Sequence, residues 1–223
     1  MIQQPKYATL QKVRNENRTY GITPRIPGGF IKPEDLVKFA EVAKKYNGVI
    51  KITSGQRIAI LGIKAEDVEN AWQELGMEPG VVSAYSVKNV ELCPASFCKR
   101  AKQNSLKLGM KIEKRFYAAA APNRTKIAVV GCRNSCTSAY SKDIAVVGDK
   151  EGYIVTAGGS AGFYPKLPHI IAEKLSDDEA YNMVEAIYEF YNKEAEFGEK
   201  LGDFIERISI ESFKSGVEQI YNK

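Results

Sequence analysis

The amino-acid sequence predicts an α/β protein (α+β in its arrangement) made of two successive parts. Up to residue 75, Val- and Ile-rich runs alternate with two stretches whose apolar residues recur at helical spacing. In the second part, three further β-rich runs follow one another and end in glycines. From residue 176 onwards the apolar spacing is again helical, so we expect a helical C-terminus.

The first strand and the first helix are predicted on either side of a tight turn. TYGITPRI, which begins at Thr19, has the composition of a strand and leads into a Pro-Gly-Gly turn. Residues 32–46 predict a helix, because Pro33 suits the first helical position and Gly48 can end it. The predicted inward face of this helix consists of Leu36, Phe39, Ala40 and Ala43.

A hairpin and a second helix complete the first part. GVIKITS and RIAILGI predict two strands that are separated by Gly55-Gln56. AEDVENAWQEL predicts a helix that ends at Gly76 and turns Val68, Ala71, Trp72 and Leu75 inward. The order strand–helix–strand–strand–helix is that of a ferredoxin-like half-domain, which we assign to residues 1–78. Glu78-Pro79-Gly80 then leads into a second α/β domain, residues 79–223.

The second domain is predicted from a helix, three strands and a C-terminal group of helices. Residues 97–108 predict the first helix, and TKIAVVGC, DIAVVGD and GYIVTAGG predict the strands. Ser176 and Glu179 form a capping box, which opens a helix with an apolar stripe of Ala180, Met183, Val184, Ile187 and Tyr191. Residues 199–207 and 210–221 predict two more helices. His169, the only histidine, falls in a helix-like stretch, where we expect a surface or core-edge residue.

The composition is that of a soluble globular protein. Of the 223 residues, 44% are hydrophobic and 26% are charged. No apolar run reaches the length that spans a bilayer, and the first residues, MIQQPKYATLQKVRNENR, lack the apolar stretch of a signal peptide, so we expect a cytoplasmic protein. The net charge of +5 is spread along the chain and fits a solvated surface, an anionic ligand, an acidic redox partner or nucleic acid.

The four cysteines form two close pairs, Cys93 with Cys98 in CPASFC and Cys132 with Cys136 in CRNSC. Disulfides are uncommon in cytoplasmic proteins, so paired thiols predict a metal site. Four thiolates can hold either a zinc ion or an Fe–S cluster. A cysteine pair that spans the end of a strand and the following loop can place its two thiols further apart than a single zinc ion requires. This spacing favours the cluster, with zinc, or four metal-free cysteines, as the alternatives.

Basic residues precede the second cysteine pair. In Asn123-Arg124-Thr125-Lys126, an extended backbone points Arg124 and Lys126 to the same face, where they could clamp an anion. Arg25 and Arg57 lie at the ends of predicted strands and are further candidates for anion binding.

Glycines recur at the ends of the strands in the second domain, at Gly131, Gly158 and Gly159. Glycine lets a bulky ligand approach the backbone closely. GGSAG does not match a phosphate-binding P-loop, and no GxGxxG follows a strand, so a nucleotide site is not predicted.

Together these motifs resemble those of the siroheme-containing sulfite and nitrite reductases, in particular their compact single-chain, small assimilatory-type forms. The most specific part is PNRTKIAVVGCRNSC followed by DIAVVG, in which a basic strand leads into a GC-x-N-x-C pair. TPRIPGG and ITSGQRIAILGI resemble the family's two anion-site segments, and GYIVTAGGSAG resembles the segment that closes over the tetrapyrrole. The resemblance covers about residues 19–207.

The resemblance implies a [4Fe–4S] cluster and a siroheme as cofactors of a second domain that binds both. The implied cluster ligands are Cys93, Cys98, Cys132 and Cys136, and Cys136 would also be the axial ligand of the siroheme iron. The residues implied to contact the cofactors are Gly131, Asn134, Gly158 and Gly159. The cations implied to hold the substrate oxyanion are Arg25, Arg57, Arg124 and Lys126.

The implied function is the six-electron reduction of sulfite to sulfide, in which fixed cations stabilise the bound anion. Electrons would come from an external donor such as an acidic ferredoxin or flavodoxin, since the chain carries no extra C-x2-C-x2-C run. The chain is also too short for the duplicated architecture of the large assimilatory enzymes. The second half of the cavity would therefore be supplied by a homo-oligomer or a partner subunit, or be dispensed with.

Two departures from the family pattern leave the substrate open between sulfite, nitrite and another small oxyanion. The first cysteine pair is one residue shorter than the resemblance predicts, and Gly55 stands where the family has an arginine, with Arg57 following the glutamine. The alternatives are a nitrite reductase, a non-catalytic siroheme and Fe–S electron-transfer subunit, and a basic nucleic-acid-binding protein with zinc. The last is disfavoured because RIAILGI carries one cation and no aromatic residue, so we expect neither a nucleic-acid nor a membrane partner.

Overall fold

A computed structural model describes residues 4–11, 13 and 17–223. The chain divides into two compact units, Met1–Val82 (unit 1) and Ser83–Lys223 (unit 2). No helix among the described residues is long and apolar enough to cross a membrane.

Unit 1 is a four-stranded antiparallel sheet with two helices. The strands lie in the order β1-β2-β4-β3. Their bounds are Thr9–Leu10 (β1), Thr19–Ile22 (β2), Val49–Ile52 (β3) and Ile58–Lys64 (β4), and the helices are Pro33–Lys45 (α1) and Val68–Leu75 (α2). The predicted ferredoxin-like order, β2-α1-β3-β4-α2, is confirmed. Gly76 ends α2 in the left-handed conformation, with φ 60°.

The core of unit 1 matches the prediction for α2 better than for α1. Val68, Ala71 and Leu75 are buried as expected. In α1 the buried residues are Phe39, Val42 and Ala43. The prediction was wrong for Leu36 and Ala40, which are exposed, because the buried stripe is rotated toward Val42 and away from both.

Unit 2 is a five-stranded mixed sheet in the order β5-β6-β7-β8-β9. The first three strands are parallel and the last two pair antiparallel. Their bounds are Val87–Leu92 (β5), Thr125–Val130 (β6), Ile144–Asp149 (β7), Gly152–Ala157 (β8) and His169–Leu175 (β9). The helices are Leu106–Phe116 (α3), Asp177–Glu194 (α4), Leu201–Ile208 (α5) and Ile210–Tyr221 (α6). The three predicted strands, the helical C-terminus and the Ser176 capping box are confirmed.

Two sequence predictions in unit 2 are wrong. The helix predicted for residues 97–108 begins only at Leu106, the first residue of α3. The prediction is wrong for the residues before it, because the backbone N–H groups of Lys102 and Gln103 donate to the carbonyl oxygen of Gly131 rather than within a helix. His169 lies on β9 rather than on a helix, since its stretch pairs with β8, but it is exposed as expected. Strands β1 and β5 were not predicted.

The sheet of unit 2 is buried on both faces. Ile127, Val129, Ile144 and Val146 face the helices in the main core. The opposite face carries small and branched residues that pack against loop residues, namely Ala128, Val130, Ala145, Val147 and Ile154 with Cys93, Ala95 and Ala139. Alanine allows the loops to approach closely, so this second face is covered by the loops that carry the cysteines.

Candidate functional site

The two cysteine pairs lie in loops that follow neighbouring strands. Cys93 comes directly after β5 and Cys132 follows the end of β6. Strands β5 and β6 pair in parallel, so their carboxyl ends lie at the same edge of the sheet. The structure therefore brings both predicted pairs to one end of unit 2.

Two of the thiols accept hydrogen bonds from amide groups. The backbone N–H of Gly131 donates to Cys93 Sγ at 3.1 Å, and Asn134 Nδ2 donates to Cys136 Sγ at 3.0 Å. Cys93 is buried, whereas Cys136 is exposed. Hydrogen bonds to sulfur stabilise the thiolate form and tune the reduction potential of an Fe–S cluster. Both donors therefore suit cysteines that act as cluster ligands.

The loop between Cys132 and Cys136 turns back on itself. Ser135 and Ser138 both adopt left-handed backbone conformations, with φ 51° and 54°. The N–H of Ser135 donates to the carbonyl of Cys132 at 3.3 Å, and Ser135 Oγ accepts the N–H of Ala139 at 2.8 Å. These bonds fix a tight turn that leaves Cys136 at the surface.

The four thiols are divided between two loops. Among residues 4–11, 13 and 17–223, no group of three or more His, Cys, Asp or Glu side chains is arranged to hold a metal ion. A [4Fe–4S] cluster takes one thiolate on each of four iron atoms, so its ligands can come from separate segments. The donor set, four cysteines with amide donors on two of them, fits the chemistry of such a cluster.

A groove of about 470 Å³ is lined in part by the loop that carries Cys136. Ser135 and Ser138, on either side of Cys136, line it together with Tyr140. Its other wall is Ser160, Pro165, Lys166 and Leu167, in the loop between β8 and β9. The two segments that the sequence resemblance links to the tetrapyrrole are thus neighbours in unit 2.

Close packing within the protein explains why glycine occupies three strand-end positions of unit 2. A Cβ on Gly131 would meet the Gln103 carbonyl oxygen at 2.8 Å. Gly158 has φ +89° and donates its N–H to the carbonyl of Asp143 at 2.8 Å. A Cβ on Gly159 would meet the Tyr140 carbonyl oxygen at 2.4 Å. Close backbone packing therefore requires these glycines, and their contact with a cofactor stays a prediction.

We expect Gly159→Ala to lower the free energy of unfolding by about 1–3 kcal/mol, because its Cβ would overlap backbone oxygens that cannot rotate away. Gly162→Ala is the matched control, since the nearest atom to its Cβ is Ser160 Oγ at 3.6 Å. Urea denaturation of the two variants measures the difference. Equal stability would contradict the packing explanation for Gly159.

Arg124 directly precedes β6 and Lys126 is the second residue of β6, so an extended backbone points both to one face. They are two positions apart in an extended segment, and Lys126 is half-buried whereas Arg124 is exposed. Burial lowers the pKa of Lys126, and the positive charges of Arg124 and Lys142 lower it further. This arrangement concentrates positive charge at the start of the strand that leads to Cys132.

A buried ion pair that was not predicted from the sequence lies close to Lys126. Lys142 Nζ lies 2.8 Å from Glu91 Oε2, and the two side chains are only 8% and 2% exposed. Asn89 Nδ2 donates to Glu91 Oε1 at 2.8 Å. Glu91 belongs to β5 and Lys142 precedes β7, so the pair crosses β6, where Glu91 is level with Ala128. The sequence feature that could have indicated this ion pair is the presence of two polar residues, Asn89 and Glu91, at alternate positions of VKNVEL.

We expect Lys142→Met to destabilise unit 2 by about 3–5 kcal/mol, because it leaves the Glu91 carboxylate buried without its counter-ion. Adding Glu91→Gln removes that stranded charge and should recover much of the loss. Lys111→Met is the control, since it removes an exposed pair with Asp178 that contributes about 0–1 kcal/mol and an ammonium contact with the Tyr181 ring of similar size. Urea denaturation provides the measurement, and a loss for Lys142→Met no larger than for the control would contradict this account.

The other two predicted cations lie in unit 1. Arg25 Nη1 pairs with Glu78 Oε2 at 2.9 Å, and Arg25 N–H donates to the Glu78 carbonyl at 2.8 Å. Arg57 N–H donates to Thr53 Oγ1 at 3.1 Å in the turn between β3 and β4. The segments of the two arginines meet, since a Cβ on Gly29 would lie 2.9 Å from Gln56 Cβ. Unit 1 therefore brings TPRIPGG and ITSGQRIAI together.

Both units match models of one protein family. Residues 12–78 match the model described as "Nitrite/Sulfite reductase ferredoxin-like half domain". Residues 83–223 match the model described as "Nitrite and sulphite reductase 4Fe-4S domain". A 4Fe-4S domain of this family implies an iron–sulfur cluster and siroheme, which favours the cluster over the zinc alternative.

Relatives include enzymes named for both substrates. The chain is 35% identical over 219 residues to an assimilatory-type sulfite reductase of Nitratidesulfovibrio vulgaris (strain Hildenborough), covering 97% of this chain and 99% of that protein. It is 30% identical over 216 residues to the nitrite reductase [NAD(P)H] of Bacillus subtilis, covering 96% of this chain but only 26% of that protein.

Solved structures share the fold. The crystal structure of dissimilatory sulfite reductase I has a TM-score of 0.78 at 14% identity, covering 90% of this chain and 69% of that one. The NirA protein of Mycobacterium tuberculosis has a TM-score of 0.77 at 17% identity, covering 92% of this chain and 40% of that one. At these identities the likeness concerns the fold alone.

Proposed function

Because the chain belongs to the nitrite and sulfite reductase family, we propose that it reduces sulfite to sulfide with electrons from an external donor. The observation that carries the proposal is the placement of four thiols at the carboxyl end of β5 and β6, with two cations at the start of β6. The name of the Nitratidesulfovibrio relative, which matches over nearly its whole length, supports sulfite as the substrate.

Residues of unit 2 would hold both cofactors. Cys93, Cys98, Cys132 and Cys136 would hold the [4Fe–4S] cluster, and Cys136 would also contact the siroheme iron. Bound there, the two groups would pass electrons from the external donor to the substrate one at a time. Gly131 N–H and Asn134 Nδ2 would donate hydrogen bonds to two of the ligand sulfurs and so help to set the reduction potential of the cluster.

Cations of this chain would bind the substrate. Sulfite is a dianion, and the positive charges of Arg124 and Lys126 would offset both its charge and the charge that builds as electrons arrive. Each oxygen that leaves as water needs protons, and the Lys126 ammonium group can donate one and be recharged from solvent. Arg25 and Arg57 of unit 1 are the further cations that the family resemblance implies for anion binding.

Nitrite is the second candidate substrate. The match to the Bacillus subtilis nitrite reductase covers 96% of this chain, so a protein named for that substrate is similar to nearly all of it. Gly55 also stands where the family resemblance predicts an arginine, so the anion site of unit 1 differs from that pattern. A smaller, singly charged anion needs fewer cations than sulfite does.

Anaerobic purification followed by spectroscopy and assay tests the proposal. We expect a siroheme chlorin band with a broad Fe–S shoulder, iron in excess of zinc, and turnover of sulfite to sulfide with a reduced dye as the donor. Assay with nitrite under the same conditions ranks the two substrates by kcat/KM. An acidic ferredoxin or flavodoxin replaces the dye to test the donor class.

The outcomes separate the alternatives. A colourless protein that contains zinc would overturn the cofactor assignment and the function together. A coloured protein that turns over neither anion would be an electron-transfer or siroheme-carrying subunit instead.

A further inference from the structure

Asp143 is held between two neighbouring strands at the start of β7. Its Oδ2 accepts the backbone N–H of Lys126 at 2.8 Å, and its carbonyl accepts the N–H of Gly158 at 2.8 Å. The first bond ties the start of β6 to the start of β7 at the residue whose side chain is the half-buried cation. The sequence pattern gave no functional role to this aspartate.

The carboxylate lies among charged groups from several elements. It lines a cavity of about 130 Å³ whose other charged residues are Lys166, Lys200 and Asp203. The charged and titratable groups that interact with Asp143 or Lys126 are Arg124, Lys142, Glu91, Lys200 and the Tyr191 hydroxyl. Glu91 and Lys142 are already paired with each other. Two carboxylates thus act on Lys126, and among the described residues only one of them, Glu91, is paired with another lysine.

Ionisation of Asp143 affects the charge of Lys126. Burial raises the pKa of Asp143 to about 6, so the carboxyl group is ionised at neutral pH and above. In that state it raises the pKa of Lys126, whereas burial, Arg124 and Lys142 lower it. The negative charge of Asp143 thus opposes the loss of the lysine's proton.

We propose that Asp143 is a positioning residue for Lys126: its carboxylate fixes the backbone from which the lysine side chain projects and places a negative charge near the ammonium group that binds the anion. The proposal rests on the proposed function, in which Lys126 binds the substrate oxyanion. Asp143 would thus affect substrate binding only through Lys126.

Asp143→Asn tests the charge separately from the hydrogen bond, since the amide oxygen can still accept the Lys126 N–H. We expect the ionisation midpoint of Lys126 to fall by about one pH unit. Trace labelling with acetic anhydride across a pH series, measured by mass spectrometry on the peptide that contains Lys126, gives this midpoint without any assay of activity. The alkaline limb of the kcat/KM profile should move to lower pH by the same amount.

Two further variants sharpen the test. Asp178→Asn, an exposed aspartate that pairs with Lys111, should leave the Lys126 midpoint unchanged. Asp143→Glu keeps the charge while displacing the acceptor, so its midpoint should stay near that of the unaltered protein while kcat/KM falls. A midpoint in Asp143→Glu as low as that of Asp143→Asn would overturn the role of the charge.

The proposal and the function on which it rests fail in different ways. Lack of turnover of both sulfite and nitrite by the unaltered protein refutes the proposed function, whatever the midpoint. An unchanged midpoint in Asp143→Asn, with turnover in the unaltered protein intact, refutes the role of Asp143 alone.

Discussion

Cys136→Ser is expected to yield a protein that lacks both siroheme and the Fe–S cluster and has no measurable turnover. A thiolate is the metal ligand, and the serine hydroxyl stays protonated at neutral pH, so one substitution removes the sulfur that both cofactors would share. Cys136 is exposed and Asn134 Nδ2 is its donor, so the change should leave the core of unit 2 intact. The absorption spectrum, with iron and acid-labile sulfide analysis, measures the loss.

Thr137→Ser is the matched control for Cys136→Ser, because it alters the adjacent position of the same loop and keeps a hydroxyl. We expect this variant to retain both cofactors. Circular dichroism of both variants checks that the fold persists. Full colour and iron content in Cys136→Ser would contradict the shared-ligand assignment.

Lys126→Ala is expected to keep both cofactors while kcat/KM falls by about 10²–10³-fold, the usual effect of removing one donor to a developing anion. The half-buried position of Lys126 on β6 makes its charge effective, since the surrounding protein screens it less than water would. Steady-state assay of the anaerobically purified variant, alongside its absorption spectrum, gives both quantities.

Lys126→Arg should recover part of the lost activity, because it restores the charge with a different donor geometry. Lys150→Ala, which removes an exposed cation in the turn between β7 and β8, is the control and should leave kcat/KM within about twofold. Unimpaired turnover by Lys126→Ala would show that the lysine does not bind the substrate. Loss of colour would instead assign it to cofactor binding.

Much of the fold followed from local patterns. The strands DIAVVGD and TKIAVVGC and the helix behind Ser176 carry strong β or helical signals that tertiary contacts reinforce. The helix prediction for residues 97–108 relied on local apolar spacing. The backbone N–H groups of Lys102 and Gln103 instead bond to the Gly131 carbonyl of another segment, which the local sequence does not show. Strand β5 was missed because Asn89 and Glu91 interrupt its apolar pattern. Asn89 donates to Glu91 within the strand, and Glu91 is buried with a counter-ion, Lys142, from elsewhere in the chain.

The site was predictable where chemistry is carried by residue type and spacing. Four cysteines in two pairs, and two cations at alternate positions before Cys132, are visible in the sequence. The contacts of Glu91 with Lys142 and of Asp143 with Lys126 are not, because they depend on strands that become neighbours only in the sheet. The sequence also shows the glycines, but it does not show why Gly159 must be one, because the backbone oxygens that exclude a Cβ there belong to a separate loop.

The parallel pairing of β5 with β6 also ties cofactor binding to the fold of unit 2. Cys93 and Cys132 reach the same edge of the sheet only when the two strands have paired. The binding free energy of a cluster held by both loops would add to the stability of the folded unit, because the unfolded chain does not hold these thiols together.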